Sequence, residues 1–176
     1  WLPDAIADNG GIKYMTRILD AAHRADCKDS CYHCLRVYRN MNYHGLLDWR
    51  LGTSMLRVLA DKDHVVGTDG NFDKPELEGW AEFGADIADR LRVNLKVPME
   101  TILMPNGVNV PLLRGREKRY LVIHPFWDIH APGEDTWLAN LVAKAQEIAG
   151  DDGVSFIDTF NLHRRMGWCY ANILQQ

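Results

Sequence analysis

Residues 120–158 read YLVIHPFWDIHAPGEDTWLANLVAKAQEIAGDDGVSFID, and this stretch decides the fold class. Tyr120-Leu121-Val122-Ile123 is a compact apolar run without polar alternation, the pattern of a strand covered on both faces. Trp137, Leu138, Leu141, Val142, Ala145 and Ile148 recur at helical spacing and predict a helix over 134–149, which Gly150 can end. Val154–Asp158 is the next strand candidate. Strand, helix and strand within about 40 residues make a βαβ unit with parallel strands.

Upstream of this unit, Val93–Val97 and Thr101–Met104 read as short strands. Pro105-Asn106-Gly107 is a turn signal before Val108-Asn109-Val110, so a hairpin is expected there. Trp80, Phe83, Ile87 and Leu91 predict a helix over 76–92, and Leu47, Leu51, Met55, Val58 and Leu59 another over 46–60. Between them, 61–75 (DKDHVVGTDGNFDKP) is acidic, polar and Gly-containing, and reads as a linker. Ile12, Met15, Ile18, Leu19 and Ala22 predict a first helix over 12–24, after an Asn9-Gly10-Gly11 turn. The expected organisation is a helical cysteine-cluster module over 1–60, a linker over 61–75 and an α/β accessory domain over 76–176. The fold class is α/β or α+β.

Composition agrees with a folded chain. Of 176 residues, 47% are hydrophobic and 25% charged, which excludes a disordered tail or a fibre. No apolar run approaches the ~18 residues of a membrane-spanning helix. The chain opens at Trp1, without a Met or a basic-then-apolar leader. The expectation is a piece of a longer, cytoplasmic polypeptide that does not meet a membrane. Charge is zoned. Residues 12–57 carry eight Lys/Arg against four Asp/Glu, 61–89 carry two against nine, and 90–119 carry seven against two. Two basic zones therefore flank an acidic one, and a basic zone can attract phosphates.

The strongest chemical signal is Cys27-x3-Cys31-x2-Cys34. A Cys-x2-Cys knuckle lets two thiolates grip one ion, a third thiolate closes another corner, and zinc favours a tetrahedron of S and N donors. The alternative is three reduced thiols without a metal. Candidates for the fourth corner are His23, His33, His44 and the distant Cys169, with His44 favoured. Nothing in the sequence marks one of these cysteines as an activated nucleophile.

The order Asn9-Gly10-Gly11-Ile12, Cys27-x3-Cys31-Tyr32-x-Cys34-Leu35-Arg36-x-Tyr38-x-Asn40, His44-x2-Leu47-Asp48-x-Arg50 resembles a known module. It is similar to the zinc-binding C-terminal module of DEAD/DEAH-box helicases of the mitomycin-repair and DISARM phage-defence kind. The resemblance covers residues 8–60. Where family members place a fourth cysteine after the knuckle, this chain has Asn40, with His44 just beyond. The resemblance implies a module that follows the two motor domains of an ATP-dependent helicase and helps to engage DNA. The motor itself is not in this sequence: no G-x4-G-K-[ST] loop occurs, so the fragment is not expected to hydrolyse ATP.

Arg36, Arg39, Arg50 and Arg57 interleave with Tyr32, Tyr38, Tyr43 and Trp49. Guanidinium forks suit phosphates and rings stack on unpaired bases, so Arg36, Tyr38, Arg39, Arg50 and Arg57 are the candidate contacts to single-stranded DNA. A second constellation, His124, Asp128, Asp158 and His163, lies at predicted strand ends, where α/β sheets place ligands. It motivates a rival reading, a metal-dependent nuclease or hydrolase centred on His124, Asp128 and Asp158. One common nuclease type needs an acid and then an acid-x-Lys on adjacent strands, and no such trio is found; the His-x-Lys of another type is absent. A pure protein-interaction module is the third reading.

Overall fold

The computed structural model describes residues 17–175, which form two compact units. One takes the chain up to Val66 together with Phe72–Glu78. The other takes Gly67–Asn71 and everything from Gly79 onward.

The first unit is helical. Residues up to 16, and with them most of the expected first helix and the Asn9-Gly10-Gly11 turn, lie outside the described residues. The remainder of that helix is not continuous. Backbone at 17–19 is helical, Asp20 is extended (φ −61°, ψ 137°), and α1 restarts at Ala21–Asp26. The reason is chemical: the Asp20 carboxylate accepts the N–H groups of Ala22 (2.9 Å) and His23 (3.2 Å), and a short acid favours that capping role over a mid-helix position. A 3-10 segment, Tyr38–Leu46, follows and is kinked at Asn40. The next helix, α2, spans Trp49–Ala60. It starts three residues later than the Leu stripe predicts because Asp48 caps it, accepting from Arg50 N (2.9 Å) and Leu51 N (3.3 Å).

The acidic stretch 61–75 holds no helix or strand, as its composition predicts, yet it is not a free tether. Its parts are built into both units. In the first, the chain just beyond it brings Glu76 to Arg57, at 2.5 Å. In the second, Thr68 O accepts Leu138 N–H at 3.0 Å and Gly70 O accepts from Asn106 Nδ2 at 2.8 Å. Gly70 has φ +83°, and a Cβ there would sit 2.5 Å from the Trp137 ring, so only glycine fits.

The second unit contains the sheet. After α3 (Trp80–Leu95) come β1 (Met99–Leu103), β2 (Asn109–Arg114), β3 (Arg119–Ile123), α4 (Trp137–Ala149) and β4 (Val154–Asp158). The strand order is β1-β2-β3-β4. The first two pairings are antiparallel and β3 pairs with β4 in parallel. The expected hairpin and the βαβ unit are both present, and the chain is α/β with a mixed sheet. Ile87, Ala88 and Leu91 of α3 pack with Leu113, Tyr120, Val122 and Ile157 on one face of the sheet. On α4, Leu138, Leu141 and Ala145 are buried, and that helix contacts β1, β3 and β4. Both faces are thus covered, which explains the unbroken apolar run of β3. The strand expected over Val93–Val97 is instead the last turn of α3, closed by Lys96 in the left-handed region (φ 56°). The Phe83, Ile87, Leu91 stripe continues to Leu95 against the same core, and this packing overrides the strand preference of the exposed Val93.

Sequence periodicity does not predict the short C-terminal helices: α5 (Thr159–Arg164), α6 (Met166–Cys169) and a π-helical turn at Tyr170–Leu174. They bury Leu162, Cys169 and Leu174 in the α3 side of the core. Among the described residues, no helix is long and apolar enough to cross a membrane.

Candidate metal centre

Cys27 ends α1, and Cys31–Cys34 form the tight turn that follows it. Cys34 N–H donates to Cys31 O (3.1 Å), Arg36 N–H donates to the same oxygen (2.9 Å), and Cys31 N–H donates to Cys34 Sγ (3.0 Å). The turn therefore points its sulfurs inward. Because α1 runs to Asp26 with Cys27 as its C-cap, His23 lies four residues before Cys27 on the same helical face. The outcome is a cluster of four: the ligand atoms of His23, Cys27, Cys31 and Cys34 all lie within 4.8 Å of one another, a group that can hold a metal ion. Cys27 Sγ and Cys34 Sγ are 3.8 Å apart, and His23 Nε2 is 3.5 Å from Cys31 Sγ. None of the three cysteines is in a disulfide.

The surroundings orient these groups. The other ring nitrogen of His23, Nδ1, is 2.8 Å from Ile18 O, so its proton goes to that carbonyl and the Nε2 lone pair is left facing the sulfurs. Trp49 forms the back wall. It is 1% exposed, its Nε1 donates to Cys27 O (2.9 Å), and its ring meets the His23 ring edge-on at 6.0 Å. Burial pushes the Cys27 thiol up, and the neighbouring Cys31 and Cys34 add to this. Burial also opposes charge on Cys31. Hydrogen bonds from the His33 backbone, His23 and the other two cysteines outweigh it and bring that thiol down to about 7.

His44, the expected fourth ligand, does not join the cluster. Its Nε2 is 2.9 Å from Asn40 Oδ1 and 3.1 Å from Val37 O, where it fastens the 3-10 segment. His23 stands in the cluster instead. The signal for it is the His-x3-Cys spacing on a helix, which outranks the looser ten-residue gap from Cys34 to His44. Cys169 is a core residue of the second unit, and His33 is exposed.

The basic and aromatic candidates divide. Tyr38 is 81% exposed, and Tyr32, Tyr43 and Arg39 are exposed around the same segment. Arg36 is half-buried, and its Nε donates to Ser30 Oγ (2.9 Å). Arg50 lies over the Trp49 ring at 4.5 Å and donates to Lys28 O. Arg57 is the clear correction: it is buried against Glu76, whose side chain is 0% exposed, and it has no face to offer a phosphate.

The strand-end constellation of the second unit does not form a cluster. Among the described residues, the His23/Cys27/Cys31/Cys34 group is the one assembly of three or more His, Cys, Asp or Glu with converging ligand atoms. Asp158 caps α5, accepting from Asn161 N (2.8 Å) and Asn161 Nδ2 (2.7 Å). Asp128 closes a turn by accepting from His130 N and Ala131 N. His163 meets Phe83 edge-on at 5.1 Å. His124 is 2% exposed, accepts Phe126 N–H at Nδ1 (3.2 Å) and packs among Trp80, Phe126 and Trp127.

Burial dominates His124 and lowers its pKa to about 4, with Asp158 pulling weakly the other way. A histidine kept neutral in the fold but free to protonate when unfolded costs stability as pH falls. The loss begins near the unfolded value of about 6.5, is complete near 4, and amounts to about 3 kcal/mol. Urea unfolding at pH 7.5 and 4.5 should therefore show the wild type losing about 2–3 kcal/mol more than His124→Gln over that interval. Equal losses in the two proteins would show that His124 protonates freely in the fold.

No protein-family model matches this chain, and neither does a curated protein or a solved structure.

Proposed function

We propose that the first unit is a zinc-organised module that engages single-stranded DNA beside helicase motor domains of the same parent chain. The observation that carries the zinc reading is the edge geometry of the four-ligand cluster. Tetrahedral zinc with Zn–S near 2.3 Å and Zn–N near 2.05 Å sets sulfurs about 3.8 Å apart, and sulfur and nitrogen about 3.6 Å apart. The Cys27–Cys34 and Cys31–His23 edges are 3.8 and 3.5 Å. The remaining edges, none above 4.8 Å, need at most about 1 Å of closure around the ion. His23, Cys27, Cys31 and Cys34 would hold the ion, and its role is structural, because four protein donors leave no open position for a reacting group. Metal analysis of the purified chain tests this, with one zinc per chain expected and none after replacing Cys34.

The DNA reading rests on the exposed rings of Tyr32, Tyr38 and Tyr43 beside Arg36 and Arg39, and on the family resemblance of residues 8–60. Arg57 drops out of the contact set because it is buried against Glu76. Each phosphate contact adds roughly 0.7 to the magnitude of the log–log salt slope for single strands. Replacing Arg36 and Arg39 with Ala is thus expected to flatten the slope by about 1.4. Tyr38→Ala should cost about 1–3 kcal/mol of affinity with the slope unchanged, since stacking releases no counterions. Fluorescence anisotropy with an oligonucleotide across a salt series reads both. An unaltered slope in the double-arginine variant would remove these residues from the interface.

A further inference from the structure

We propose that Cys31 is the sulfur through which a peroxide opens the metal centre, making the module an oxidant-sensitive switch; the inference rests on the zinc reading above. The four ligands are not equally sheltered. Cys27 is 4% and Cys34 3% exposed, while Cys31 and His23 are only half-buried. Trp49 and Ile18 close the deep side of the cluster, so solvent meets it along the Cys31–His23 edge. A small polar oxidant therefore reaches Cys31 before the other two sulfurs. Cys169, at 0% exposed in the other unit, is out of reach altogether.

The partner for Cys31 is also in place. Cys34 Sγ lies against the Cys31 backbone, 3.0 Å from its N–H, within the two-residue knuckle. The Cys31 thiolate attacks one oxygen of hydrogen peroxide: an S–O bond forms, the O–O bond breaks, and hydroxide leaves. The product is a sulfenic acid. The Cys34 thiolate then attacks the Cys31 sulfur: an S–S bond forms, the S–O bond breaks, and a second hydroxide leaves. Two thiolates have lost two electrons, and one peroxide has become two hydroxides, which solvent protonates to water. Only Cys27 and His23 remain as donors, two where a structural zinc site needs four, so the ion departs. Cys31 O holds both Cys34 N–H and Arg36 N–H, so closing the disulfide also disturbs the start of the 3-10 segment that displays Tyr38.

The experiment uses the full chain loaded with zinc, its metal content measured first. Hydrogen peroxide is added in slight excess, with and without dimedone to trap sulfenic acid. Peptide mass mapping locates the modified sulfurs, and a metallochromic indicator follows zinc. The expected result is a dimedone adduct on Cys31 ahead of every other cysteine. Without dimedone, a Cys31–Cys34 disulfide forms with one zinc released per disulfide, and dithiothreitol plus zinc restores the site. Cys169→Ser should behave as wild type. Adducts first on Cys27, Cys34 or Cys169, or zinc retained after Cys31 is oxidised, overturn this inference alone. A chain that carries no zinc after supplementation overturns the zinc reading and this inference with it.

Discussion

On the zinc reading, stripping the ion with a strong chelator, or replacing Cys34 by Ser, should melt residues 17–60 while the strands β1–β4 stay protected. The expectation follows from the make-up of the first unit's core. Among the described residues, Ile18, Cys27, Cys34 and Trp49 form a buried cluster there, with Leu19, Cys31, Leu35, Leu56 and Ala60 packed against it. Two of the four, Cys27 and Cys34, belong to the group that can hold a metal ion. On the zinc reading, losing the ion leaves the rest of the cluster to offset the conformational entropy of the 3-10 segment and two short helices on its own. Structural zinc contributes about 10–16 kcal/mol of apparent binding energy in zinc-finger peptides near neutral pH, and that energy is folding energy. Amide hydrogen exchange with mass detection reads the result by region. Protection across 27–60 should fall to near the unfolded rate in the chelated protein and in Cys34→Ser, and recover in the former when zinc returns. Unchanged exchange over 27–60 in Cys34→Ser would show that packing alone holds the unit.

The second large effect concerns Arg57 and Glu76. Their side chains are 10% and 0% exposed and meet at 2.5 Å. Glu76→Ala should destabilise the first unit by about 3–5 kcal/mol, because it strands a buried guanidinium without its counter-charge. The cost lies in the orphaned charge rather than in the bond. The double replacement Arg57→Met with Glu76→Leu should therefore recover most of the loss. An internal control is the exposed Arg90–Asp86 pair of α3, where Asp86→Ala should cost only about 0.3–0.5 kcal/mol. Chemical denaturation of the three variants checks the set. A Glu76→Ala loss no larger than the Asp86→Ala loss would mean that water reaches Arg57 in solution.

The sheet was legible because its signals are local. The run Tyr120–Ile123, the stripe from Trp137 to Ile148 and the Pro105-Asn106-Gly107 turn each state a period or a break within one window. The sequence read worse where a single polar side chain redirects the backbone. Asp20 looks like a solvent-facing residue on a helix until its carboxylate is seen capping Ala22 and His23. The same helix runs on to Asp26, past its expected end at 24, and so carries His23 and Cys27 four residues apart on one face. The misreading of the first helix and the preference for His44 are thus connected. The three clustered sulfurs needed no such knowledge, since the Cys-x3-Cys-x2-Cys spacing carries them. The arginines failed differently. Charge in a sequence window says how many guanidinium groups exist, not what faces them, and Arg57 meets its carboxylate nineteen positions away, at Glu76.

The allotment of 61–78 has a practical consequence. The polypeptide changes unit at three places: after Val66, after Asn71 and after Glu78. No single cut in this region yields two intact halves. An N-terminal product ending at residue 60 or 75 leaves Arg57 without Glu76. A C-terminal product starting at 76 lacks Thr68 and Gly70, which accept from Leu138 and Asn106. The acidic stretch that looks like the obvious place for scissors is where dissection would do the most damage. A protease nick there should leave the two fragments travelling together until denaturant is added.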